Sequence, residues 1–320
     1  MARHIVCLTF DFDVMSGHIA RGHITPTLIS RGEFGAVGAA RILSLLRARN
    51  ISSTWFIPGF TIETYPEICS QVVEGGHEIG HHGWTHRQPA SLDRDEEEAE
   101  LIRGNECIER LSGQKARGYR SPAWDLSAHT LDLLLKHKFY YESSMMGHDY
   151  SPYRARQGDV IDLQKPMKFG QTTRLIEMPI SWSQDDHPHF EMAGSRPGHR
   201  NANSVLENWV DDFIYMTRIT DWGILTYTCH PYVIGRGHRM LMLERLIDKV
   251  RDLGAESTHG EVLLSLHVDH DFVLGDVGLD LGQGFFGHGC SSDRLKFQGV
   301  WVLIDRAWIE PSARFPPTVA

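Results

Sequence analysis

Four histidines fall within ten positions in the stretch HEIGHHGWTHRQP, residues 77–89. His77 with His81, and His82 with His86, are each four residues apart. On one turn of helix, side chains at i and i+4 stack on one face, so either pair could bring two imidazoles to one metal ion. Neutral imidazole is a good ligand for zinc and other first-row metals. Two ring nitrogens do not complete a site, and a carboxylate has to come from elsewhere; Asp11 and Asp13 stand near the start of the chain. The competing reading is a set of core histidines satisfied by hydrogen bonds.

The elements that must position these residues alternate. Residues 4–11 form a short apolar run ending in acids, which reads as a buried strand opening onto a loop. Further strand candidates are residues 53–57, 78–82, 117–120, 139–144, 175–182 and 222–229. Between them, helical apolar spacing covers 37–49, 91–111, 127–137, 203–218 and 240–253. Another helix carries Ile68, Val72 and Val73, with Thr64 as its expected cap and Gly75-Gly76 at its end. The acidic run from Asp93 to Glu98 reads as a solvated helix start. Residues 14–36 read as a long glycine-bearing loop over the site, and 147–168 as an irregular stretch.

Repeated β then α implies a parallel sheet with right-handed crossovers. Seven such units over about 250 residues suit a closed or nearly closed (β/α) barrel better than an open sheet. The unusual polar residues then gather at the carboxyl ends of the strands: Asp11 and Asp13, His82 and His86, Arg120, Trp182 with Asp185 and Asp186, and His230. In a parallel barrel that rim is where active sites form. His81 precedes His82 on the strand and points to the opposite face, which makes it a packing residue or a support behind the ligands.

The totals exclude several classes. The 320 residues, 41% hydrophobic and 23% charged, suit a globular protein with a sizeable core. A net charge of -9 without a long basic tract argues against nucleic acid and anionic membrane as partners. Five scattered cysteines without a C-x-x-C read as reduced thiols. The first residues lack the apolar core and cleavage site of a signal peptide, and no run of about 18 apolar residues follows, so a cytoplasmic protein is expected.

The segments TFDFD (9–13), HGWTH (82–86), RSPAW (120–124) and TCHP (228–231) resemble, in order, four motifs of the NodB-type polysaccharide deacetylase family. SRGEF (30–34), TWFIP (54–58) and MPISWSQDD (178–186) are similar to its intracellular branch, which includes peptidoglycan-deacetylase-like, cyclic imide hydrolase and allantoinase-like proteins. The resemblance spans residues 4–262. It implies a distorted (β/α) barrel over 1–262, holding a divalent metal, usually zinc, with 263–320 left as an unassigned extension, irregular or disordered.

Carried onto this sequence, the resemblance makes Asp13, His82 and His86 the metal ligands and Asp11 the base. Two imidazoles and a carboxylate leave a coordination position open, as a catalytic site requires. Arg120 matches the arginine that orients the base, and His230 the general acid. Ala123 matches an oxyanion-binding position, and Trp124, Trp182 and Phe34 are expected to contact substrate. Two departures stand out: Asp11-Phe12-Asp13 replaces the usual Asp-Asp-Gly, and Ala123 replaces an aromatic. The expected function is hydrolysis of a non-peptide amide C–N bond in a small soluble amide or cyclic imide. The alternatives are N-deacetylation of N-acetyl amino sugars or oligosaccharides, and a non-catalytic metal- or ligand-binding barrel. Relatives in the branch are commonly homo-oligomers.

Overall fold

The structure, a computed structural model, describes residues 3–191, 198–257, 294–297 and 300–303. The chain divides into two units, Met1–Phe272 and Val273–Ala320. In the first, the strands are β1 (Arg3–Asp11), β2 (Thr54–Ile57), β3 (Glu78–His81), β4 (Gly118–Tyr119), β5 (Tyr141–Glu142), β6 (Tyr153–Gln157), β7 (Val160–Asp162), β8 (Lys165–Lys168), β9 (Gln171–Glu177), β10 (Trp222–Cys229) and β11 (Glu256–Ser257). The helices are α1 (Ser16–Ala20), α2 (Pro26–Arg49), α3 (Gly59–Thr64), α4 (Pro66–Glu74), α5 (Arg94–Ser112), α6 (Thr130–Lys136), α7 (Asp186–Phe190), α8 (Ala202–Ile219), α9 (Pro231–Ile234) and α10 (Gly237–Asp252).

The sheet runs β10-β1-β2-β3-β4-β5-β9-β6, with β11 also on β1. Every pair from β10 to β9 is parallel, and only β6 joins antiparallel, on the far edge. The seven strands from β10 to β9 are the seven expected from the sequence, and β11 adds a short further strand parallel to β1. The two ends of this curled sheet approach each other: Asp185 bridges Thr228 in parallel, and the Ile224 N–H donates to the Tyr150 carbonyl at 2.9 Å. That is the distorted barrel. Strand β1 is buried on both faces from Ile5 onward, which is why its sequence is a continuous apolar run rather than an alternating one. Around it, α8 and α10 pack Trp209, Phe213, Leu243 and Leu246 into the main core.

Three expectations change. Residues 14–36 are not a loop: α1 follows β1 closely, and α2 begins at Pro26. Glycines made the stretch look irregular, but those of α2 are contact points. A Cβ on Gly32 would lie 2.6 Å from the Val14 carbonyl oxygen, and one on Gly38 2.0 Å from that of Pro231. Backbone approach at that range excludes any side chain. Residues 147–168 are not wholly irregular, since β6 extends the sheet and β7–β8 form an exposed antiparallel pair. Thr64 caps nothing; it ends α3 and donates to the Phe60 carbonyl, while α4 starts at Pro66. The acidic run does start a helix, with Asp93 as N-cap in a reciprocal capping box with Glu96.

In the second unit, β12 (Arg294–Phe297) and β13 (Val300–Leu303) pair antiparallel, a pairing the sequence reading did not anticipate. The segment His267, Asp269 and His270, which has metal-like spacing, lies outside the described residues, as does most of the extension 263–320.

Candidate active and metal site

The histidine stretch is built as a bend rather than a helical turn. Strand β3 ends at His81, and the chain turns through Gly83 (φ 71°) and reaches His86 at φ 62°. Glu100 on α5 secures this turn: its Oε2 accepts from the Trp84 and Thr85 amides, both at 2.9 Å, and its Oε1 from the Thr85 hydroxyl at 3.0 Å. Both imidazoles then face the same point. His82 Nε2 lies 3.4 Å from Asp13 Oδ1, and His86 Nε2 lies 3.4 Å from Asp13 Oδ2. Ligand atoms of Asp13, His82 and His86 all lie within 4.8 Å of one another, and all three residues are buried.

Hydrogen bonds fix which ring nitrogen is free. His82 Nδ1 is 2.7 Å from the Arg120 carbonyl oxygen, which can only accept; Nδ1 therefore carries the proton and Nε2 keeps its lone pair. Asp13 Oδ1 is buried with no hydrogen-bond partner, the kind of orphaned acceptor that a bound cation satisfies. The Asp13 carbonyl is itself held by the Ser16 amide (2.9 Å), the Ser16 hydroxyl (2.7 Å) and the Thr61 hydroxyl (3.1 Å). Burial alone would raise the Asp13 pKa, but His86, His82 and His230 hold it well below the usual carboxylate range. An ionised carboxylate, the free His82 lone pair and the His86 ring, whose Nε2 faces Asp13, fit a divalent cation.

His77 and His81 do not form a competing pair. The Gly83 N–H donates to His81 Nδ1 at 3.1 Å, so His81 Nε2 donates to the Leu101 carbonyl at 3.0 Å. Both nitrogens are used, and burial pushes the His81 pKa down to about 3. His77 Nδ1 meets the Ser53 hydroxyl at 3.0 Å, before β3 begins.

Asp11, the last residue of β1, sits beside the cluster with Oδ2 3.9 Å from His82 Nε2. Its other oxygen receives Arg120 Nη1 at 2.7 Å. The same guanidinium donates to the Thr9 hydroxyl (2.9 Å), the Ser143 carbonyl (3.1 Å) and the Ser143 hydroxyl (3.0 Å), and lies 4.2 Å over the Phe56 ring. Burial would raise the Asp11 pKa; Arg120 first, then His82 and His230, bring it below its ordinary value.

His230 follows β10. Its backbone N–H donates to both Asp186 oxygens at 3.0 Å, and its Nδ1 donates to Asp186 Oδ1 at 2.8 Å. Its Nε2 therefore faces Asp11 and Asp13, 3.9 Å from an oxygen of each. Burial opposes a charged ring, but Asp185, Asp186 and Asp11 raise the His230 pKa well above its usual value. Burial pushes Asp185 up to about 7, with Asp186 adding to it. Asp185, Asp186 and His230 are also within ligand reach of one another. Both Asp186 oxygens are already engaged by His230, whereas Asp13 keeps a bare oxygen, so the Asp13 cluster is the better cation seat.

These groups line one cavity of about 200 Å³, together with Ala123, Trp124, Trp182, His18, Arg21, His187 and Tyr232. Val14, His86, Ala123 and Trp124 all hold left-handed backbone (φ 46–62°), a conformation costly for side chains of their kind and concentrated here around the cavity. Of the rim and site residues singled out from sequence, Arg120 and Asp186 stand behind the lining, holding Asp11 and His230, and Phe34 stays away from the cavity altogether. It lies on α2 beneath the Arg236 guanidinium, 3.5 Å from its ring, because the segment carrying it is helix rather than a loop over the site. The sequence reading placed Asp185 and Asp186 on the rim but not against His230, and it missed His187, Tyr232, His18 and Arg21. His187 and Tyr232 each adjoin a motif residue, which was the available signal; His18 and Arg21 lay in the supposed loop.

A family model for polysaccharide deacetylase matches residues 3–141. A peptidoglycan deacetylase of Helicobacter pylori is 35% identical over 267 residues, covering 78% of this chain and 91% of that protein. A solved structure of a putative polysaccharide deacetylase from Mycobacterium smegmatis is 30% identical with a TM-score of 0.70, covering 83% of this chain and 90% of that one. The crystal structure of Puue allantoinase shares the fold, with a TM-score of 0.71 at 18% identity and coverage of 85% and 92%.

Proposed function

We propose, on the premise that this chain belongs to the polysaccharide deacetylase family, that it hydrolyses a small amide or cyclic imide using one divalent metal. Members of the family are hydrolases of carbon–nitrogen bonds other than peptide bonds. The observation that carries the reading is the meeting of Asp13, His82 and His86 beside Asp11 and His230 in one cavity. Asp13, His82 and His86 would hold the metal, and two imidazoles with one carboxylate suit zinc. Bound there, a divalent metal would supply an acidified water and a polarised carbonyl.

The chain's own groups divide the remaining work. Asp11, kept ionised by Arg120, accepts the proton of the attacking water. His230 then gives its Nε2 proton to the departing nitrogen, with Asp186 holding the ring in the required tautomer; such proton transfers contribute about a hundredfold to ten-thousandfold. The Ala123 amide stands at the cavity wall to meet the developing oxyanion, a contribution of roughly 3 kcal/mol. Trp124 and Trp182 supply flat walls.

Cavity size favours a compact substrate: about 200 Å³ is less than the roughly 300–1,000 Å³ that holds drug-sized ligands. A second reading, removal of acetyl from an N-acetyl amino sugar, draws on the peptidoglycan deacetylase relative. Zinc-loaded protein assayed on phthalimide, succinimide, allantoin and N-acetylglucosamine oligomers separates the two. Turnover of the cyclic compounds supports the first reading, turnover of the oligomers alone supports the second, and turnover of none contradicts both. The proposal also has the enzyme act as a homo-oligomer in the cytoplasm, which light scattering and cell fractionation check. Among the described residues, no helix is long and apolar enough to cross a membrane.

A further inference from the structure

The cavity carries one cation that the hydrolytic machinery does not use. Arg21 follows α1 and lines the cavity, exposed to solvent. A Cβ placed on Gly17 would lie 3.5 Å from Arg21 Nη2 and 3.3 Å from His86 Nδ1, so the guanidinium and the His86 ring flank the same point on α1. The other arginines on this side are engaged. Arg31 pairs with Glu191, Arg41 donates to the Gly235 carbonyl at 2.8 Å, and Arg236 stacks on Phe34. Arg239 donates to the Val233 carbonyl at 3.0 Å. The Arg21 side chain has no hydrogen bond or ion pair with any described residue; only its backbone N–H is engaged, by the His18 carbonyl at 3.2 Å.

The surroundings say what an unpaired guanidinium in this place could meet. Of the cavity carboxylates, Asp11 takes Arg120, Asp185 accepts from the His187 amide, and Asp13 faces His82 and His86 as the cation seat. The wall near Arg21 offers His18 and His187, whose pKa values are both lowered by burial, so neither competes for an anion as a cation at neutral pH. Trp182 lines the same cavity while 55% exposed, an aromatic face left open for a ligand to cover. A guanidinium presents a fork of donors that matches a carboxylate in two parallel hydrogen bonds.

We infer that the preferred substrate is an amide or imide carrying a carboxylate arm, and that Arg21 is the residue that selects for it over uncharged ones. The arm lies on Arg21 while the flat body of the substrate rests against Trp182 and its carbonyl faces the Asp13, His82 and His86 cluster. This rests on the hydrolase reading of the same cavity and adds to it the charge of the substrate.

The test uses two hydroxamates, which chelate the metal through one end and differ only at the other: succinic acid monohydroxamate, with a carboxylate, and its carboxamide counterpart. Dissociation constants for both are measured by calorimetry on the zinc-loaded full chain. The wild-type protein should bind the carboxylate compound at least tenfold more tightly. Arg21→Gln should bring the ratio of the two constants to within twofold of one, and Arg21→Lys should keep a ratio of threefold or more. Equal binding by the wild-type protein, or an unchanged ratio in Arg21→Gln, overturns the inference. Removing the zinc separates the two claims: if the carboxylate preference persists with undiminished affinity in zinc-free protein, Arg21 stands and the metal reading falls. Failure of both compounds to bind the zinc-loaded protein overturns both.

Discussion

Arg120 Nη1 lies 2.7 Å from Asp11 Oδ1, and neither side chain is more than 1% exposed to solvent. Two charges can be buried together at that depth only when their remaining hydrogen-bonding capacity is filled, and here Thr9 and Ser143 fill it for the guanidinium. The pair links β1 to β4 across the barrel, so the base is positioned by the same contact that ties the sheet together. Arg120→Met should leave Asp11 buried without its counter-charge. Chemical denaturation is expected to show a loss of about 3–5 kcal/mol. A loss under about 1 kcal/mol would mean that water reaches Asp11 and the pair is not buried in solution.

Asp186 acts on His230 through two contacts, one to the ring and one to the backbone amide. Asp186→Asn keeps the shape but can turn an N–H toward Nδ1 and impose the wrong tautomer. Turnover of whichever substrate is established should fall roughly a hundredfold or more, with one metal still bound per chain. Unchanged turnover would remove His230 from the role of acid.

Glu100 is remote from the cavity, yet three donors of the turn between His82 and His86 converge on it. Glu100→Ala frees that turn and should weaken metal affinity by about ten- to a hundredfold, as loss of a group that orients ligands commonly does. Competition with a chromophoric chelator measures this directly. Wild-type affinity in the variant would show that the bend holds its shape through Gly83 and the His86 backbone alone.

The barrel strands were legible because most are short apolar runs bounded by turn residues, and the rim residues were legible because five of the seven runs end in an unusual polar group. What sequence did not reveal follows from interactions between distant segments. Gly32 reads as a loop residue, and only the backbone of Val14 and Met15 arriving against it explains its presence in a helix. Phe34 was expected in the pocket for the same reason and lies instead under Arg236. The bend at Gly83 replaces the expected helical turn, yet the i, i+4 pair still converges, since Glu100 constrains it from α5. The service of Asp186 to His230 joins residues 44 apart, which spacing cannot convey.

Glu142 and Glu177 face each other in register on β5 and β9, both fully buried. Burial, then the neighbouring carboxyl, raises the Glu177 pKa well above the ordinary value, and burial raises that of Glu142. Between the unfolded pKa, about 4.3, and the raised folded value, the folded protein binds more protons than the unfolded chain. Its stability from this pair is therefore complete below the unfolded pKa and declines as pH rises, by at most about 1.4 kcal/mol per pH unit for one proton. Glu177→Gln removes that titration. Denaturation midpoints of the variant should gain on the wild type from about pH 5 upward; parallel curves over that range would contradict the buried pair.

The central claim is that the first strand's end and the turn after β3 together hold one cation. Crystals grown with zinc and measured at the zinc absorption edge test it most directly. The expected result is one anomalous peak bonded by Asp13, His82 Nε2 and His86 Nε2 at about 2.0–2.2 Å, with Asp11 and His230 beside it and unbonded to it. A peak seated on Asp185, Asp186 and His230 instead, or no peak near either group, would contradict it.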